Sequence, residues 1–158
     1  MSEEKFIREQ LVKPLEGGEA FMPLTEMLKK ISFEDINTRP DNLPYSLYEL
    51  FFHIVFTQKD IVKFTCSDDY TEPKWPDYYW PKEKICRNEE EWETLNAEYL
   101  TDRERIKTFL LNKENKLTKP VKNGKDEQTL LREVTLLIEH TAYHTGQMLI
   151  LMRLLNLH

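Results

Sequence analysis

Apolar residues recur every three or four positions in four separated stretches of this chain, and that periodicity restricts it to helices that each bury one face. In the first stretch, about Glu4 to Ile31, the recurring residues are Phe6, Ile7, Leu11, Leu15, Phe21, Leu24, Met27, Leu28 and Ile31. Pro14, the pair Gly17 and Gly18, and Pro23 interrupt it. Proline removes an amide donor and glycine costs about 1 kcal/mol of helix propensity, so two segments are expected. A turn over Pro40 to Pro44 leads to Ser46 and Glu49, an S-x-x-E capping box that opens a helix to about Thr65. Asn88 and Glu91 resemble a second cap, ahead of Trp92, Leu95, Tyr99, Ile106, Phe109 and Leu110. The last helix runs from about Glu127 to Asn156 and carries Leu130, Val134, Leu137, Thr141, Met148, Met152 and Leu155. At 158 residues the chain suits one core, so four principal helices predict a single all-α domain over 1–158, a four-helix bundle.

Two connections are long. The 113–126 stretch, rich in Lys and Asn, reads as a solvated link. Residues 66–88 hold Pro73, Pro76, Pro81, Trp75, Trp80, Tyr78 and Tyr79, an aromatic load that must pack against something. The segment is expected to cover one end of the bundle, or to act as a lid or substrate wall.

Charge and cysteine usage narrow the function. A formal net charge of -6 offers no large positive field to a phosphate backbone, so nucleic-acid binding is not expected. No apolar run approaches the roughly 20 residues that span a bilayer, and acidic Glu3 and Glu4 precede the first apolar pair, Phe6 and Ile7, so no membrane partner and a cytoplasmic location are expected. Cys66 and Cys86 lie far apart without a Cys-x-x-Cys spacing, and read as ordinary thiols.

Histidine is scarce, with four in the chain, yet His140 and His144 stand four apart on the last helix. At about 100° per residue their rings lie only about 40° apart, close enough to share one ligand. Chance produces such a pair roughly one time in ten, so the pair needs context. Leu137, Leu151 and Leu155 lie beside it, which puts both imidazoles on the flank of the buried stripe, and His53 holds the same relation to its own helix. A lone histidine in such a place is usually a neutral core residue satisfied by a carbonyl or carboxylate. Three inward-facing rings are different, because clustered imidazoles oppose one another's protonation and each needs a partner for its lone pair. His53, His140 and His144 are therefore expected to hold one divalent transition metal, Zn, Ni, Fe or Co, with a coordination position left open. Gln147 and Glu133 lie within about 40° of the histidine line and are expected to orient the ligands, with no catalytic residue assigned. Glu49 and Asp60 bracket His53 and are read as surface carboxylates.

The segment His140, Thr141, Ala142, Tyr143, His144, Thr145, Gly146, Gln147 closely resembles the signature on the last helix of the DinB-like proteins. His53 in mid-helix, the Leu15–Glu16–Gly17–Gly18 segment and the tryptophan-proline connection extend the likeness over nearly the whole chain. The resemblance implies an up-down-down-up bundle, a three-histidine metal site on His53, His140 and His144, and a homodimer. Some such proteins look like thiol-dependent transferases or isomerases, others have been regarded as hydrolases, and many have no assigned reaction. The expected function is a metal-dependent enzyme that transfers a low-molecular-weight thiol to a small electrophilic substrate. The alternatives are a metal-dependent hydrolase with Glu133 or another carboxylate as base, and a non-enzymatic metal-binding or stress-related bundle.

Overall fold

The helix that organises the molecule starts where its capping box predicts. In the computed structural model, which describes residues 2–158, Ser46 Oγ accepts from the Glu49 amide at 3.2 Å and the Glu49 carboxylate accepts from the Ser46 amide at 2.8 Å. Two otherwise unpaired donors are thereby satisfied. Among the described residues the helices are, in chain order, α1 (Glu3–Glu16), α2 (Leu24–Leu28), α3 (Leu47–Cys66), α4 (Glu89–Leu111) and α5 (Leu130–Leu154). Asn88 caps α4 through the Glu91 amide, and Thr129 caps α5 through the Arg132 amide. No strand is formed among the described residues beyond one isolated bridge between Pro120 and Thr129. None of these helices is long and apolar enough to cross a membrane.

The four long helices bury their apolar faces against one another. Helix α3 packs on both α4 and α5, and α1 packs on the same two. Phe51 meets Trp92 edge-on and Gln58 donates to the Tyr99 carbonyl at 2.7 Å, so contacts advance together along α3 and α4. Along α5 they run the other way. Leu50 and Ile54 share a cluster with Met148 and Leu151, whereas Ile61 and Val62 share one with Leu130 and Val134. This opposed pairing sets the middle of α3 against the middle of α5, which decides where the site lies.

Several boundaries depart from the sequence reading for identifiable reasons. Pro14 does not break α1, because it sits in the last turn and forfeits only one amide bond there. The helix stops at Gly17, whose φ of 85° few other residues adopt. Helix α5 begins near Thr129 rather than Glu127, because the preceding residues pair with 119–121: the Val121 amide donates to Gln128 and the Leu130 amide to Lys119. The 113–126 link is less solvated than its composition implies. Leu117 and Val121 are buried in the cluster with Ile61, Val62, Leu130 and Val134, and Asn123 donates to the Phe64 and Ser67 carbonyls at the end of α3.

These contacts rank two substitutions. Ser46→Ala removes one cap bond and should cost about 1 kcal/mol, whereas Ile106→Ala opens a void in a fully buried position and should cost roughly 2–5 kcal/mol. Urea denaturation checks both, and an Ile106→Ala protein as stable as the parent would contradict the packing.

Candidate metal centre

His53 lies midway along α3 among Leu50, Ile54 and Phe51, and the opposed pairing of α3 with α5 brings it to the turn that carries His140 and His144. His53 Nε2 stands 3.2 Å from His144 Nε2 and 3.2 Å from His140 Nε2. One nitrogen from each ring falls within 4.8 Å of the other two, a grouping that can hold a metal ion. His53 and His144 are buried and His140 is partly buried.

Hydrogen bonding on the far sides of the rings decides which nitrogens carry hydrogen. His53 Nδ1 lies 3.0 Å from the Tyr79 carbonyl, which can only accept, so that nitrogen is the donor and Nε2 is left with its lone pair. His144 Nδ1 donates to Gln147 Oε1 at 2.6 Å, with the same result. Two lone pairs therefore face each other at 3.2 Å with no proton between them, an arrangement that a shared cation would relieve for both at once. His140 can offer a proton from Nε2 to one of them alone, and its Nδ1 is sealed from solvent without a partner. Nitrogens bound at about 2.0–2.1 Å to one tetrahedral ion sit roughly 3.3 Å apart, close to the 3.2 Å that separates His53 Nε2 from each of its two partners.

The connection between α3 and α4 closes one side of this cluster. Trp80 stacks flat on His53, with centroids 4.4 Å apart and planes 9° from parallel, while the preceding residue supplies the Tyr79 carbonyl. The Tyr79 and Tyr70 hydroxyls both donate to Asp60, at 2.6 and 2.8 Å, and so fasten the connection to α3. Burial and those hydrogen bonds push both tyrosine hydroxyls well above their ordinary pKa.

Of the candidates read from sequence, His53, His140, His144 and Gln147 come together and the carboxylates do not. Glu133 is buried, but it accepts from Arg132 at 2.7 Å and makes no hydrogen bond to the histidines. Glu49 is held in the capping box and by both of its oxygens to Arg39, and Asp60 belongs to the two tyrosines. Sequence reasoning missed Tyr79 and Trp80 as individuals, and it missed Arg103. That arginine donates to the Leu15 carbonyl at 3.1 Å and to Thr141 Oγ1, and lies 5.1 Å from the centre of the Tyr99 ring. Its signal was present, since Arg103 continues the line of Trp92, Tyr99, Ile106 and Leu110 on the buried face of α4.

Burial disfavours the imidazolium form of all three histidines. Desolvation lowers His53 and His144 below the usual range, partly offset by the Tyr79 and Gln147 hydrogen bonds. For His140, desolvation, the two other rings and Arg103 combine to bring the value to about 3. The metal-free folded state therefore binds fewer protons than the unfolded chain between that value and about 6.5. Its stability should be full above pH 6.5 and should fall as the pH drops through that window. The decline should be shallower in a His140→Ala protein, as thermal melts in pH 4–8 buffers would reveal.

The family model described as DinB family matches residues 22–156, a span that includes all three histidines. No curated protein and no solved structure matches the chain. With the helical bundle, the histidine cluster and most of the length accounted for by one family, the chain belongs to the DinB family.

Proposed function

We propose that His53, His140 and His144 bind one divalent transition metal, Zn, Ni or Fe, and that the protein is an enzyme joining a low-molecular-weight thiol to a small electrophilic substrate. One observation carries the metal assignment: the lone pairs on His53 and His144 face each other at 3.2 Å, with both outer nitrogens already committed as donors. When bound there, such an ion supplies Lewis acidity that lowers the pKa of a thiol or water at the open position. The thiol reading draws on the cysteines. Burial pushes Cys66 up to about 12 and raises Cys86 as well, so neither offers a thiolate nucleophile at neutral pH. In this reading the nucleophilic sulfur arrives with a cosubstrate: its S–H bond breaks, the new carbon–sulfur bond forms as the electrophile's leaving group departs with the bonding pair, and the proton passes to that leaving group or to water. Metal-assisted hydrolysis gains less support, because no carboxylate among the described residues hydrogen-bonds to the cluster as a base.

Within this reading the chain's own residues have distinct tasks. His53 is held in its donor-out tautomer by Tyr79, His144 by Gln147, and Trp80 keeps water from the back of the His53 ring. A homodimer is part of the proposal. Tyr143, Ile150 and Leu154 leave an exposed apolar stripe on α5 beside Gly146, whose missing side chain leaves open space for a neighbour.

Elemental analysis of untagged protein purified without added metal should find about one equivalent of Zn, Ni or Fe. His140→Ala and His144→Ala should each lower metal affinity by orders of magnitude, since each removes one of three protein donors. Stoichiometric metal in both variants would refute the assignment. His53→Ala should abolish the rise in melting temperature on adding Zn or Ni while leaving a helical, cooperative bundle, because the apolar core does not depend on the ion. A metal-stripped protein that is unfolded by circular dichroism would make the ion structural and overturn the enzymatic reading. Gln147→Leu should weaken metal binding about 10–100-fold through loss of the hydrogen bond to His144, measured by competition with a chromogenic chelator.

A further inference from the structure

The surroundings of the histidine cluster are unusual in charge. The acceptors behind His53 and His144 are a backbone carbonyl and a side-chain amide, both neutral, and His140 Nδ1 has no acceptor. No carboxylate hydrogen-bonds to any of the three rings among the described residues. The charge that the bundle does bring toward His140 is positive. Arg103 extends from α4 to Thr141, the residue next to His140.

Among the described residues Arg103 has no anionic partner. It donates to the Leu15 carbonyl and to Thr141 Oγ1, lies against the Tyr99 ring, and leaves its Nε sealed without an acceptor. Thr141 Oγ1 passes its own hydrogen to the Leu137 carbonyl at 2.8 Å, so its lone pairs are free to receive the guanidinium and anchor it. Arginine stays charged in proteins, and a charge taken from water without a counter-charge is costly. Its neighbours on the same face of α4, Tyr99 and Ile106, are buried aromatic and aliphatic side chains, so packing alone does not require a cation here.

Three neutral imidazoles leave both charges of a bound dication unbalanced, and Arg103 adds a third positive charge beside them. We infer that Arg103 is a charge-setting residue that makes the open position of the cluster selective for monoanionic ligands, a thiolate or a carboxylate, over neutral ligands of similar size. This inference rests on the metal reading above and narrows its substrate class. Arg103 is assigned no contact with the reacting atoms; it acts through the potential it sets and through the Thr141 anchor.

The test uses untagged, full-length protein loaded with Co(II), whose visible absorption reports ligand exchange, titrated with thiocyanate as the anion and imidazole as the neutral ligand. Arg103→Met and Arg103→Gln should weaken thiocyanate binding about tenfold, the scale of one unit charge acting through protein of intermediate dielectric, and leave imidazole binding unchanged. Arg103→Lys should recover most of the thiocyanate affinity. Met is included because an apolar chain of similar reach fills the space if Gln does not fold. Equal losses for thiocyanate and imidazole, or no loss for either, would overturn the inference and leave Arg103 a structural strut. Failure of the parent protein to take up one equivalent of Co(II) would instead refute the metal reading itself.

Discussion

Helix α3 and helix α5 must bury their apolar faces against each other, and at their crossing that packing encloses three rings that are not apolar. Water cannot reach the inner nitrogens of His53 and His144 freely, so every hydrogen-bonding demand has to be met from within the bundle. The outer nitrogens find Tyr79 and Gln147. The inner ones find only each other and His140. A site of this kind is defined by what its neighbours cannot supply: lone pairs held in register, with protonation suppressed by burial.

The carboxylates near the site in sequence all have other duties. Glu49 closes the start of α3 and holds Arg39, Asp60 fastens the aromatic connection, and Glu133 is paired with Arg132. Both cysteines are held as thiols by burial. The chain thus brings geometry and tautomer control to the cluster, and under the proposed function the nucleophile and the electrophile are supplied by small-molecule partners.

Much of this arrangement was legible in the residues. The i, i+4 histidine pair on the flank of an apolar stripe, with a third histidine in the same relation to another helix, is a local pattern that helical geometry converts directly into proximity. Capping boxes likewise declare themselves through spacing. Glu133 shows where the method fails: its angle around α5 matches the histidine line, but seven residues separate it from His140, about 10 Å along the axis. It therefore falls beside a different set of neighbours. Tyr79 and Trp80 lie in an irregular segment, where no periodicity says which residue will meet which helix. Leu117 and Val121 were masked by the lysines and asparagines around them. Arg103 was the recoverable miss, since a charged residue in line with Tyr99 and Ile106 on an apolar face announces either a partner or a purpose.

Tyr79 touches α3 at two places with two different groups. Its hydroxyl reaches Asp60 and its carbonyl holds the His53 ring, seven residues apart on the same helix. The residue behaves as a staple whose legs are a side chain and a peptide unit. Because Trp80, stacked on His53, follows Tyr79 directly, its placement is tied to the carbonyl that orients the same ring. The cover over the His53 ring and the tautomer of that donor are thus fixed by two adjacent residues, Tyr79 and Trp80.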